Sequence, residues 1–292
     1  PEEAEKVSRS LAEVFSLASQ LEDKLSMYVP SSELNELNTR KRMKVSEELE
    51  EVIALAIDIS RVTSGAFDPT VAPILKRNGF YGNMPQEILS RIPENDEAVG
   101  FRNVRLDKDR GEIFLENSAW LDLSGIAKGY IVDRMAAYLN DAGIESFIIN
   151  AGGDIYCGRS PRGSIWRVGI RRPGSGEIWR VLELESCAVA TSGDYENFLV
   201  DGKTSRVMSH IADTSELEMT DQVLTGMTVI AENCALADAL ATGITARDIE
   251  KASETAGLIP GVEVIAASNK DGEWIVFMTP GAKRYLSGEG SR

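Results

Sequence analysis

Apolar positions recur three or four apart from Val7 through Leu11, Val14, Leu17 and Leu21 to Leu25, which predicts an amphipathic helix over residues 1–27, ended by Pro30. Ser31 or Ser32 then caps a short helix running to Asn38. Ser46, Glu47 and Glu48 open a third helix with Leu49, Val52, Ile53 and Ala56 on one face, and its acidic first turn suits the positive end of the helix dipole. Thr63 to Thr70, which carries Gly65 and Pro69, breaks it. Residues 83–97 read as a polar, proline-flanked stretch with one short helical patch. Val104 to Leu106 and Ile113 to Leu115 pair as a hairpin around Asp107 to Gly111.

The run Asp122-Leu-Ser-Gly-Ile-Ala-Lys-Gly-Tyr130 passes from an apolar strand through a glycine hinge into a helix, Ala127 to Leu139, with Ile131, Met135 and Leu139 on one side. A strand from Ser146 to Asn150 follows and ends in Ala-Gly-Gly-Asp154. Short β-branched or aromatic runs predict further strands at Trp166 to Arg171, Ile178 to Leu184, Cys187 to Thr191 and Met227 to Ala231. Asn233 to Gly243 is a small-residue helix closed by its glycine. A helix from Ala246 to Ala256 and strands at Val262 to Ala266 and Trp274 to Met278 complete the pattern. With no strict repeat and no linker, the chain reads as one α+β unit over residues 1–292, a mixed sheet flanked by helices, with a flexible tail over 280–292.

Composition narrows the function classes. The 292 residues carry a net charge of −15, which argues against nucleic-acid binding. A polyanionic ligand therefore needs local help, and a bound cation beside one lysine supplies it, because exposed charges are screened beyond roughly 8 Å at physiological salt. Cys157, Cys187 and Cys234 form no Cys-x-x-Cys pair, so neither a disulfide framework nor a thiolate zinc site is indicated. No apolar run is long enough to span a membrane, and no signal peptide opens the chain. Its start at Pro1 within a charged helix has the look of a trimmed end, which leaves room upstream for an export signal or a lipid anchor.

Three groups of residues suggest chemistry. Asp122, Ser124, Gly125, Lys128 and Gly129 make a turn suited to an anion, since glycine lets the backbone approach a phosphate at a helix start whose N–H groups lack partners. An ordinary strand-to-helix connection would use the same residues. Asp238 and Thr242 stand four apart on the small-residue helix and point to one side, a hard-oxygen pair that suits magnesium completed by a backbone carbonyl, waters and substrate phosphates. A closely packed helix with Asp238 hydrogen-bonded to a neighbour fits equally. His210 is the sole histidine, and it is either a base oriented by Asp213 or a structural or solvated ring.

Seven motifs in order carry a resemblance: Ser-Glu-Leu-x-x-Leu-Asn38 preceded by Ser26, Gly-Ala-Phe-Asp-Pro-Thr70, Asp-Leu-Ser-Gly-Ile-Ala-Lys-Gly-Tyr130, Asn-Ala-Gly-Gly-Asp154, Ala-Thr-Ser-Gly-Asp-Tyr195, Ser-His-Ile-x-Asp213 and Ala-Asp-Ala-Leu-Ala-Thr242. Together they resemble the ApbE family of FAD:protein FMN transferases. The resemblance implies a magnesium-dependent enzyme that splits the diphosphate of FAD, passes FMN to a threonine or serine of a partner flavoprotein and releases AMP. It implies that Asp238, Thr242 and the Ala127 carbonyl hold the metal and that Ala66, Phe67 and Asp68 form part of the FAD pocket. Tyr28 then packs on the flavin, Ser124 and Lys128 lie in the phosphate-facing motif, and His210 activates the acceptor hydroxyl.

The implied acceptor sequence is of the type Asp-x-x-Ser/Thr-Gly/Ala-Ala-Thr/Ser, the implied client a membrane redox subunit, and the implied location extracytoplasmic. Ser64-Gly65-Ala66 comes close to that acceptor sequence, but Phe67 stands where a hydroxyl is required, so the chain is not expected to modify itself. Two departures stand out. After Asp213 the family's Pro-x-Thr-Gly is replaced by Thr-Ser-Glu-Leu-Glu-Met-Thr-Asp221, and the family's opening strand with a Gly-Thr pair is absent before the first helix. FAD hydrolysis to FMN and AMP is the competing enzymatic reading, and flavin storage without turnover is the competing non-enzymatic one.

Overall fold

A computed structural model describes residues 2–193, 198–200, 207–214, 217–221, 226–245, 254–270 and 273–288. The opening periodicity becomes helix α1 (Glu2–Leu25), followed by α2 (Glu33–Arg40) and α3 (Glu47–Val62). Serines cap the last two: Ser32 Oγ accepts from Asn35 N at 3.1 Å and Ser46 Oγ from Leu49 N at 3.5 Å. Short helices α4 (Ala72–Arg77) and α5 (Gln86–Leu89) follow, the second inside the polar 83–97 stretch. The expected hairpin forms as β2 (Val104–Asp107) and β3 (Glu112–Leu115), and β1 (Arg42–Lys44) pairs with the free side of β3. Three residues are too few to show an alternating pattern, so β1 leaves no mark in the sequence.

The chain continues through α6 (Ala127–Asp141), the hairpin β4 (Ile148–Ala151) and β5 (Asp154–Cys157), the pair β6 (Trp166–Arg171) and β7 (Ile178–Leu184), and β8 (Cys187–Gly193). A three-stranded group, β9 (Phe198–Val200), β10 (Val207–Asp213) and β11 (Glu218–Asp221), precedes β12 (Gly226–Ala231), α7 (Cys234–Thr245), β13 (Glu263–Lys270) and β14 (Glu273–Met278). The central sheet has six strands in the order β14-β13-β12-β8-β5-β4. The α+β architecture is as expected, with one refinement: every described pairing is antiparallel rather than mixed. Excursions between neighbouring strands leave and re-enter at the same end of the sheet, which makes neighbours antiparallel; a parallel pair would need a crossover to the opposite end.

Three further expectations are corrected. Residues 119–123 carry no regular secondary structure and pair with no strand, so the run before Gly125 is not a β-strand. Helix α7 does not stop at Gly243 but runs on to Thr245, and Gly243 serves close packing instead: a Cβ there would lie 2.6 Å from Phe67 Cβ. The tail is not loose over 280–288, since a 3-10 helix spans Pro280–Tyr285, Ala282 is fully buried, Leu286 bridges to Leu182 and Ser287 N donates to Val181 O at 2.9 Å. Of the helix expected over Ala246 to Ala256, residues 246–253 lie outside the described residues and 254–257 are helical.

The main core joins Leu21 and Leu25 of α1, Leu34 and Leu37 of α2, Leu49, Val52 and Ile53 of α3, and Ala237, Leu240 and Ala241 of α7. Every residue of β12 is buried, with Met227 and Val229 facing this core and Ile230 facing a second one against β7 and the tail. That two-sided burial explains a continuous apolar run where a half-exposed strand would alternate. All three cysteines are buried thiols, and burial pushes Cys157 up to about 12. Among the described residues no helix is long and apolar enough to cross a membrane.

Candidate active site

The start of α6 and the start of α7 are built against each other. No side chain fits at Gly129, where a Cβ would stand 2.4 Å from the Cys234 carbonyl oxygen, so the two helices meet backbone to backbone. Asp133, one turn along α6, accepts from Cys234 N at 2.6 Å and Ala235 N at 2.8 Å and so caps α7. In return Asp238 of α7 accepts from Gly129 N, in the first turn of α6, at 3.2 Å. Each helix therefore supplies a carboxylate to the positive end of the other. Burial pushes the Asp133 carboxyl up to about 6 despite its two amide donors.

Lys128 joins this arrangement to the central sheet. Gly152 and Gly153, with φ of 66° and 108°, form the two-residue turn of the β4/β5 hairpin, closed by the pair Ala151 and Asp154. That register sets Asp154 facing α6, where it forms an ion pair with Lys128 Nζ, which also lies 3.5 Å from Asp238 Oδ2. The side chains of Asp154 and Asp238 are 5% and 4% exposed, against 54% for Lys128. Burial raises the pKa of Asp238, with the Asp154 charge adding to it, and burial raises Asp154 as well, opposed by Lys128. Burial disfavours the Lys128 ammonium, but the two carboxylates overcome it and hold its pKa above the ordinary lysine value.

Asp122 anchors the turn before α6. It accepts from Ser124 N at 2.9 Å and from Tyr81 OH at 2.5 Å, and burial together with that carboxylate pushes the Tyr81 phenol well up. Phe67 is wedged against Gly243 of α7 and Gly125, whose added Cβ would lie 3.3 Å from its ring. Asp68 faces the same space, but its oxygens are already engaged. One accepts from Thr70 N and Oγ1 at 2.8 and 2.5 Å and the other from Phe101 N at 2.7 Å, so Asp68 shapes the pocket by fixing the 66–70 turn.

These groups line one cleft of about 910 Å³. Of the residues singled out from sequence it brings together Tyr28, Ala66, Phe67, Asp68, Ser124, Lys128, Asp238 and Thr242. Ala127 is the first residue of α6, behind the lining. His210 lies on β10, four residues before the cleft-lining Thr214, whose hydroxyl donates to Gly65 O; its side chain is outside the described residues, as are Asp194 and Tyr195. The cleft also contains Asp154, Tyr81 and Ser192, which sequence reasoning did not select. Asp154 and Ser192 lie in two of the quoted motifs without an assigned role, and Tyr81 lies in none.

The donor set suits a small hard cation. Two buried carboxylates share one ammonium, leaving surplus negative charge, and the Thr242 hydroxyl lies one helical turn beyond Asp238, 3.3 Å from Ser192 Oγ. Among the described residues no three His, Cys, Asp or Glu side chains cluster to hold a metal alone. That composition fits magnesium, which takes few protein ligands and relies on water and phosphate oxygens.

Comparison with known proteins follows the same line. Residues 3–266 match the ApbE family. An FAD:protein FMN transferase of Vibrio cholerae is 30% identical, the match covering 94% of this chain and 81% of that protein. The crystal structure of the ApbE protein of Thermotoga maritima superposes with a TM-score of 0.83 at 27% identity, covering 96% of this chain and 92% of the other. The flavin transferase ApbE of Vibrio cholerae superposes with a TM-score of 0.80 at 28% identity, covering 96% and 91%.

Proposed function

The chain belongs to the ApbE family, and from that premise we propose that it transfers FMN from FAD to a serine or threonine hydroxyl of a partner flavoprotein, with magnesium bound and AMP released. The observation that carries the reading is one cleft that combines aromatic walls with the Lys128, Asp154 and Asp238 charge centre. Its 910 Å³ falls at the upper end of the roughly 300–1,000 Å³ of small-molecule sites, the room a dinucleotide needs.

In this reading Asp238, Thr242 and the Ala127 carbonyl would hold the magnesium. Bound there, the metal would supply charge neutralisation for the diphosphate and Lewis-acid polarisation of its phosphoryl oxygens. Lys128 donates to phosphate oxygens, and Tyr28 and Phe67 offer aromatic surface to the ring system. His210 takes the proton of the acceptor hydroxyl. The hydroxyl oxygen bonds to the FMN phosphorus while the bond from that phosphorus to the bridging oxygen breaks, and AMP carries that oxygen away. Phosphoryl transfer of this kind depends on positioning and charge neutralisation more than on covalent help from the protein. An extracytoplasmic location, a membrane redox subunit as client and the Ser/Thr-Gly/Ala-Ala-Thr/Ser acceptor motif belong to the same proposal and rest on the resemblance alone.

The test is incubation with FAD, magnesium and a peptide bearing the acceptor motif, following peptide mass and AMP. A peptide heavier by one FMN, with AMP in equal amount, is the expected outcome. AMP with unmodified peptide would mean hydrolysis, and unchanged FAD would mean storage; either overturns the proposal.

A further inference from the structure

We propose that Lys128 is an internal counter-cation: its ammonium bridges Asp154 and Asp238 and competes with a divalent cation for the Asp238 carboxylate, until the diphosphate of FAD draws the lysine away. The inference rests on the metal site proposed above and adds to it an order of events.

The geometry is asymmetric. Asp154 and Asp238 are fixed and almost fully buried, the first by the β4/β5 turn and the second by Gly129 N, whereas Lys128 reaches them from a half-exposed position on a flexible stem. Lys128 is paired with Asp154 and also stands 3.5 Å from the Asp238 oxygen that accepts from Gly129. A cation bound to Asp238 would face that ammonium across one carboxylate, and like charges so close inside protein repel strongly. Asp154 offers the lysine a fallback, and an incoming diphosphate offers it a better one. Metal and FAD then favour each other's binding by the same factor, and Lys128 carries part of that coupling.

Mn²⁺ serves as the probe, its free concentration read by electron paramagnetic resonance in flavin-free protein. Lys128→Met is expected to bind Mn²⁺ about tenfold more tightly than wild type, and its gain in Mn²⁺ affinity on adding FAD to be smaller. Equal or weaker Mn²⁺ binding by Lys128→Met, with binding lost in Asp238→Asn, would overturn this inference while leaving the metal site standing. Failure of wild type and both variants to bind Mn²⁺ would overturn the metal site, and the inference with it. Wild-type protein gives an independent readout should Lys128→Met not fold: acetylation of Lys128, followed by mass spectrometry, is expected to speed up when Mn²⁺ is added without flavin. An unchanged rate would count against competition.

Discussion

Asp133 shows how one carboxylate can support a site it never enters. Its two oxygens hold the first amides of α7, and burial raises its pKa to about 6, above the roughly 3.9 of an unfolded aspartate. A pKa raised on folding means that the folded state binds the proton more tightly. The associated stability is fully present below about pH 4 and is lost as pH rises through about 6. Denaturant midpoints of wild type and Asp133→Asn measured from pH 4 to 7 are expected to show the wild type losing ground relative to the variant across that window, with parallel behaviour above it. His210→Ala is expected to bind FAD normally, as read by flavin fluorescence, while peptide flavinylation falls by about 10²–10⁴-fold, the usual share of a general base. Unaltered transfer would remove His210 from the chemistry.

At the level of elements, the contact between α6 and α7 turns on Gly129. Alanine there would gain about 1 kcal/mol of helix propensity. Its Cβ would, however, stand 2.4 Å from the Cys234 carbonyl, a backbone atom that cannot rotate aside. Overpacking costs about 1–3 kcal/mol and lies at the upper end against a backbone atom, so it should win, with a net loss of about 1–2 kcal/mol in chemical denaturation and weaker Mn²⁺ binding as Asp238 moves with α7. Long periodic elements were legible in the sequence: α1, α3, α6, α7 and the β2/β3 hairpin follow from spacing and capping residues. β1, β9 and β11 were not, being three or four residues long; β1 is paired with the distant β3, and β9 and β11 with their chain neighbour β10. Lys128, Asp238 and Phe67 were legible because they sit in motifs. Asp154 stands in one of the quoted motifs too, but as the last residue of a glycine turn it gave no hint of its contact with Lys128, and Tyr81 adjoins a polar stretch with no signal of its own. Asp133 reads as one more helix surface residue until α7 is placed beside it.

On the scale of the whole molecule, the second core depends on the end of the described chain. Ala282 is fully buried in it, Leu286 bridges to Leu182, and Gly281 lies directly against the Glu263 carboxylate. Truncation after Thr279 is expected to lower the Tm by several degrees, at about 2–4 °C per kcal/mol for a chain of this order of size, and to expose apolar surface to a dye such as ANS. An unchanged melting profile would mean that these contacts add nothing. The charge centre of the cleft depends on the whole chain in another way. Lys128 and Asp238 meet across 110 residues of sequence, so the centre does not exist while the protein is still being made. A nascent chain that has delivered α6 but not α7 presents Lys128 without Asp238. A site that needs both helices forms only once α7 has been made, and a ligand held there stabilises the folded chain by mass action.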